Sequence, residues 1–460
     1  MPADTAALPA PAPASTASWP SPWAWVLRAA GLVFSFECAL LLMLFAGIYK
    51  ADPRFAWLPV DPTALFFGLS VIAGIHVALR RGLRARQAAL ALVWLAAAFA
   101  GWALLSLLWT PGHIYAYSKA LYTATLLLWP LAGCALIIAP EPARYRRFFL
   151  LLLLLSVWVA AETAVAFAAN AAAGHLTFFV NALSGTYLSL GRAIGPGLIV
   201  LLTFGLYIER RLWLRLPLLG LAALFLLLLL SIGGRGPFIA ALLAALAVIM
   251  LGLRFSLGHS APRLLVQYLL VLLVAGVLLA AAARAPQLGI SEMPATLRRL
   301  ALLSEMGLTR NSRIEHFRNT WNGLDAGTPA GYGVGSWPVV LGYGDFRGYP
   351  HNIFLEILFE LGLPGLLLFV AMLWVALRGS FPLSLLRGRP YALLALGLFL
   401  GAFLNAQVSG DLNDNRWLFA CLGLLMLTGG GLGAGEPAQS QPNEPAAALV
   451  GSRDRGQRES

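Results

Sequence analysis

Two groups of residues in this chain are of a type and spacing that could do chemistry. The first is His351-Asn352, set directly ahead of the apolar run Ile353-Phe-Leu-Glu-Ile-Leu-Phe-Glu360 and closed by Gly362-Leu-Pro-Gly365. An unperturbed imidazole titrates near pH ~6.5, so a histidine at a helix entry can take a proton from a hydroxyl at neutral pH. Asn352, Glu356 and Glu360 recur every four residues and share one helix face. Carboxylates within so apolar a run should face protein and be paired. They can orient His351 or an arginine, or tie helices together. The second group is arginine. Arg235 sits in Ser231-Ile-Gly-Gly-Arg-Gly-Pro-Phe238, where bare backbone at a helix start makes a natural anion site; the plainer alternative is that it snorkels to an interface. Arg313 falls in the first turn of a helix opened by the capping-box pattern Ser312-Arg-Ile-Glu315. His316, one turn on, can support it or be a surface residue, and Arg192 lies in Ser189-Leu-Gly-Arg-Ala-Ile-Gly-Pro196.

The elements that must position these residues follow from composition. Hydrophobic residues make up 59% of the 460 and charged residues 11%, against roughly a quarter charged in an ordinary globular domain. Apolar runs of membrane-crossing length recur, which predicts an all-α, polytopic integral membrane protein. Candidate spans fall at about 23–48, 62–79, 88–109, 118–139, 148–171, 193–208, 214–231, 237–253, 264–283, 353–377, 390–408 and 416–433. Twelve spans put both termini on one side. The arginines joining spans 2 and 3 (Arg80, Arg81, Arg84, Arg86), 4 and 5 (Arg144, Arg146, Arg147), 6 and 7, 8 and 9, and 10 and 11 all fall on even-numbered connections. With Arg453, Arg455 and Arg458 of the tail, they place that side in the cytoplasm. Residues 1–20 read as a disordered cytoplasmic leader and 434–460 as a disordered cytoplasmic tail. Residues 21–433 form the transmembrane domain.

Most outer connections are short; the exception is 284–350, between spans 9 and 10. Its 295–306 and 312–323 stretches read as amphipathic surface helices. Arg192, Arg235, Arg298, Arg299, Arg310, Arg313, Arg318 and Arg347 all fall on this outer side, against the inside rule. For Arg298, Arg299 and Arg310 anionic lipid is the favoured partner. The net charge of +12 is carried almost wholly by arginine, Lys50 and Lys119 being the only lysines. Guanidinium is the better bidentate partner for phosphate. No carboxylate or histidine cluster has convincing metal-ligand spacing, and Cys38, Cys134 and Cys421 read as small core residues. A transferase working without a metal must meet a diphosphate leaving group with cationic side chains.

His351-Asn-Ile-Phe-Leu-Glu with Glu360-Leu-Gly-Leu-Pro-Gly365 resembles the O-antigen ligase/polymerase superfamily. Arg235-Gly-Pro-Phe, Ser312-Arg313 and Ala330-Gly-Tyr-Gly-Val-Gly-Ser-Trp337 are similar to the family's other landmarks and stand in the same order over about residues 185–410. The resemblance implies a glycosyltransferase of a bacterial inner membrane with its active site facing the periplasm. The ligase member moves O-antigen from undecaprenyl diphosphate to a sugar of lipid A–core, without cofactor or metal. Carried over by position, His351 is the general base, and Arg235 and Arg313, with Arg192, hold the carrier diphosphate. Asn352, Glu356, Glu360 and His316 are expected beside them as supporting residues, on the reading of the residues given above. Expected partners are the undecaprenyl-diphosphate-linked donor, lipid A–core and membrane lipids, and no nucleic acid. A polymerase or a protein O-oligosaccharyltransferase would keep the same landmarks and differ in acceptor. From a different class, a lipid-linked saccharide transporter would carry its charges along a path through the bundle, whereas here they gather on the outer side.

Overall fold

With no water in a bilayer core, each backbone amide must find its partner within the chain, and uninterrupted apolar runs therefore become helices. The computed structural model describes residues 31–82, 86–173, 179–255, 312–324, 328–378 and 389–427, with isolated positions at 269, 272, 276, 295, 296, 298, 299 and 386. In chain order the helices are α1 (Phe36–Phe45), α2 (Pro62–Arg81), α3 (Gln87–Leu105), α4 (Ile114–Ile138), α5 (Pro142–Ala172), α6 (Tyr187–Ile208), α7 (Leu212–Ser231), α8 (Arg235–Phe255), α9 (Ser312–Leu324), α10 (Ile353–Arg378), α11 (Pro390–Ala406) and α12 (Arg416–Leu424). Eight of them, α2 to α8 and α10, are long and apolar enough to cross a membrane. The chain is an all-α, polytopic membrane protein.

Local chemistry fixes where these helices begin. Asp61 accepts from the Thr63 amide ahead of Pro62, and Gly82, at φ 66°, ends the same helix. Ser35 and Thr186 cap α1 and α6 in the same way. The eight long helices coincide with the runs expected at 62–79 through 237–253 and at 353–377. Runs 23–48 and 390–408 appear as the shorter apolar helices Phe36–Ile48 and Pro390–Ala406, and 416–433 opens as α12. The run 264–283 falls outside the described residues except at 269, 272 and 276, which are helical. The leader 1–20, the tail 434–460 and most of 295–306, with Arg310, also lie outside them. The helix expected over 312–323 is α9, and it packs against α10.

α6 is the central helix, with 78% of its most apolar window buried against α5, α7, α8 and α11. Small residues permit that approach, as in other membrane bundles; a methyl group on Gly197 would meet the Ser156 Cβ at 2.5 Å. Two carboxylates in the apolar runs serve as ties. Buried Glu37 of α1 takes the Arg144 guanidinium at 3.1 Å, and Glu162 of α5 takes Arg54 at 2.7 Å.

The feature that shapes the site is a break in α10. Gly362 adopts φ 62°, ψ −162° two residues before Pro364, and the helix kinks there. The freed groups are taken by the glycine-rich segment. Tyr332 N donates to Phe359 O (3.0 Å), Gly333 N to Glu360 O (2.8 Å) and Leu363 N to Pro329 O (2.9 Å), while the Trp102 indole donates to Leu361 O (2.8 Å). The backbones cross so closely that a Cβ on Gly362 would collide with Pro329 O, and one on Gly331, at φ 77°, with Glu360 O. The spacing of glycines in Gly331-Tyr-Gly-Val-Gly335 is thus the condition for threading this segment over the kink.

Candidate active site

His351 and Asn352 join the incoming loop to α10. Asn352 Oδ1 accepts from Leu355 N (3.0 Å), an N-cap bond. Its Nδ2 reaches Gln407 O (3.2 Å) and Gln407 Oε1 (3.3 Å), which fastens the start of α10 to the end of α11. His351 has φ 64°, a left-handed backbone that a non-glycine residue seldom adopts. Its imidazole lies between Tyr349 (ring centroids 4.6 Å apart, 70° between planes) and His316 (5.6 Å, 17°), and Nδ1 is buried without a hydrogen-bond partner among the described residues. Burial lowers its pKa to about 4, and the positive charges of Arg313 and Arg192 push the same way. Both causes favour the uncharged ring at neutral pH.

The arginines around it fall into two kinds. Arg192 Nη2 donates to Ser409 Oγ (2.8 Å), and its Nη1 lies 3.4 Å from Asp414. Arg347 forks onto Asp411 (3.0 and 3.1 Å) and reaches Asp414 at 2.7 Å. The charge of these two is shared with carboxylates. Arg235 and Arg299 bond carbonyl oxygens instead: Arg235 Nη1 donates to Arg299 O (3.2 Å), and Arg299 Nη1 to Gly233 O (2.6 Å). Arg299 also lies over the rings of Phe179 (4.8 Å) and Tyr187 (5.3 Å). Favoured for lipid from sequence, it is engaged by protein, because the turn Gly233-Gly234 leaves a carbonyl at the right reach. Arg313 approaches the same turn from α9. A methyl group built on Gly236 would stand 3.9 Å from its Nη1, so the guanidinium lies along the first turn of α8. Burial lowers the Arg313 pKa; Tyr187 opposes the shift, while Arg299 and Arg192 add to it. Cations clustered in this way raise the local potential for an anion.

Glu356 and Glu360 do not touch His351. They close on Lys119 of α4, fully buried, whose Nζ is 2.6 Å from Glu356 and 2.7 Å from Glu360. The remaining bonds of the pair run to backbone: Glu360 accepts from Gly335 N (2.9 Å) and Glu356 from Leu412 N (2.9 Å). These bonds tie α10 to α4 and pin both loops flanking the site. Asp411 is the adjoining joint. It accepts from the Tyr115 hydroxyl (3.0 Å) and from Arg347. Burial alone would raise its carboxyl, but Arg347 and Lys119 hold it below the ordinary range. Among the described residues no group of three or more His, Cys, Asp and Glu side chains is placed to hold a metal ion.

Residues 220–370 match the family described as Wzy_C, O-antigen ligase. The matched stretch carries Arg235, Arg299, Arg313, His316, His351, Asn352, Glu356 and Glu360 and is consistent with the superfamily that the His351-Asn352 motif resembles; Arg192, Lys119 and Asp411 lie outside it. No match is found among curated proteins.

Sequence reading brought forward Arg192, Arg235, Arg313, His316, His351 and Asn352, and the fold gathers them at one end of the bundle. That reading gives Arg299 to lipid, leaves Arg347 among the outer arginines, and assigns Lys119 and Asp411 no role in the site. Lys119 had a signal, as a lone lysine inside an apolar run whose charge must be met. Its partner Glu360 is 241 residues away, so nothing nearby pointed to it.

Proposed function

We propose that this protein is an inverting glycosyltransferase of the O-antigen ligase kind. In this reading it transfers glycan from undecaprenyl diphosphate to lipid A–core at the periplasmic face of the inner membrane, through twelve spans over 21–433 with both termini cytoplasmic and 284–350 outside. What supports it is a partly buried imidazole, held by a left-handed backbone and stacked on His316 beside arginines, in a stretch that matches the ligase family. Arg235, Arg299 and Arg313 take the donor diphosphate, because among the described residues the bonds of the first two run to carbonyl oxygens and the third borders the same helix start. Arg192 contributes less, since Asp414 shares its charge.

In the reaction the acceptor oxygen bonds to the anomeric carbon as the bond from that carbon to the diphosphate oxygen breaks. The hydroxyl proton passes to the His351 imidazole. The bonding electron pair leaves on the diphosphate, where the guanidinium groups stabilise it. A single displacement inverts the anomeric centre. Left-handed backbone at His351, the Asn352 cap and the stacked His316 fix the ring's direction, a geometric requirement of proton transfer.

The test is transfer by purified protein in detergent with labelled lipid-linked glycan. Lipid A–core, an acceptor peptide and a second carrier-linked unit are supplied as rival acceptors. Product on lipid A–core, lost in His351→Ala with an unchanged melting profile, is expected. Product on another acceptor, or activity retained in His351→Ala, contradicts the reading. A transporter needs a sealed compartment and gives no product in detergent.

A further inference from the structure

The Gly342–Gly348 loop is unusual in holding aromatic side chains out of the fold on a fixed backbone. Tyr343 is 39% and Phe346 56% exposed. The loop is nevertheless pinned throughout. Tyr343 N donates to Pro338 O (2.8 Å), Tyr343 OH meets Asn319 Nδ2 (3.3 Å), and the ring stacks on buried Trp337 (5.2 Å, 16°). Further along, Asp345 accepts from the amides of His113 and Ile114 (3.1 Å each), which fastens the loop to the start of α4. Gly342 (φ 76°) and Gly344 (φ 108°) supply turns that other residues resist.

These rings continue the column that contains the candidate base. His351 stacks on His316, and His316 lies 5.8 Å from Tyr343 and 5.2 Å from Trp337. One helix sets the order. On α9, Arg313 reaches toward Gly236, His316 meets His351, and Thr320 accepts the Trp337 indole proton at 2.8 Å. Spacings of three and four residues put these contacts on one face at successive turns, about 5 Å apart along the axis. Arginines, imidazole and exposed aromatic faces thus succeed one another in a line.

We infer that Tyr343, with Phe346 beside it, is the platform for a pyranose ring of the acceptor, adjacent to the sugar whose hydroxyl faces His351. The inference rests on the reading of His351 as the group that accepts the acceptor's proton. A pyranose has one face of C–H groups and a rim of hydroxyls. An exposed aromatic face with a polar edge matches both, as Tyr343 does with its hydroxyl beside Asn319. Insertion into lipid is the rival use of such rings. The loop itself, Gly342-Tyr-Gly-Asp-Phe-Arg-Gly348, argues against it: a segment that carries Asp345 and Arg347 beside the two rings is costly to bury in hydrocarbon.

The experiment uses full-length protein in detergent and free core oligosaccharide without lipid A, observed by saturation-transfer NMR. Signal on the sugar protons is expected with wild type, Tyr343→Phe and His351→Ala, and loss of it with Tyr343→Ala and with Phe346→Ala. In the transfer assay Tyr343→Ala should raise KM for lipid A–core about tenfold, with KM for the lipid-linked donor unchanged. No signal with wild type, or equal signal and equal acceptor KM in Tyr343→Ala, overturns the platform. If the His351 reading alone is wrong, His351→Ala keeps its activity while Tyr343→Ala still loses oligosaccharide.

Discussion

His351 accepts two costs that a merely structural histidine would not keep, a left-handed backbone and a desolvated imidazole among cations. The second has a measurable consequence. Its folded pKa, about 4, lies below the ordinary value of 6.5. Between those values the unfolded chain binds more protons than the folded one, so stability rises with pH through that window and is lost as pH falls toward 4. His351→Gln should remove this dependence, sparing on the order of 2–3 kcal/mol at pH 4; thermal melts of both proteins in detergent from pH 7 to 4 measure it. Among the arginines, Arg235→Gln should weaken donor binding far more than Arg192→Gln, because the Arg235 guanidinium bonds a carbonyl oxygen whereas Asp414 already shares the Arg192 charge. Titration with undecaprenyl diphosphate compares them, and equal losses would remove the distinction. At this scale the sequence was informative where a residue sat in the wrong place for its type, as Arg235 and Arg313 do on what the charge pattern reads as the outer side. It was silent where a role depends on a distant partner. Arg299 depends on the Gly233 carbonyl, and Arg347 on Asp411, 64 residues on.

The elements carry the site through two devices, the break at Gly362 and the ion cluster at Lys119. Gly362→Ala adds a Cβ where Pro329 O already stands, at a backbone angle alanine resists. It should displace the 329–335 segment, lower the melting temperature and reduce transfer together, and unchanged melting would show that the crossing is not tight. Lys119→Met leaves two buried carboxylates unneutralised, and removal of one partner from a buried pair costs about 3–5 kcal/mol. Adding Glu356→Gln and Glu360→Gln should recover part of that loss. Failure to recover any would mean that Lys119 acts by packing alone. The helix α9 was legible from its capping pattern at Ser312, and the break in α10 from Gly-Leu-Pro-Gly. What the break does was not legible, because its carbonyls are taken by a segment whose glycines read equally well as a flexible connection.

At the scale of the whole molecule, apolar run length sufficed to place α2 to α8 and α10, since a bilayer leaves the backbone few alternatives. Packing order was not readable in the same way. The central place of α6 comes from its small residues meeting α5, α8 and α11, a property of pairs of helices. The proposed twelve-span topology predicts that a cysteine placed at 343 reacts with an impermeant maleimide in intact inner-membrane spheroplasts, and that one placed at 440 reacts only after permeabilisation. Native Cys134 and Cys421 are buried and do not compete, and Cys38 can be replaced. The same label at both positions would exclude that topology. The central claim is that arginines and imidazole serve a single diphosphate site, and it is tested most directly by the ionisation of His351 itself. Histidine-labelled protein, with His351→Gln to assign the resonance, is titrated by NMR with and without undecaprenyl diphosphate. Bound diphosphate should neutralise the neighbouring guanidinium groups and raise the His351 pKa from about 4 toward neutrality; an unchanged titration curve with saturating ligand would contradict the claim.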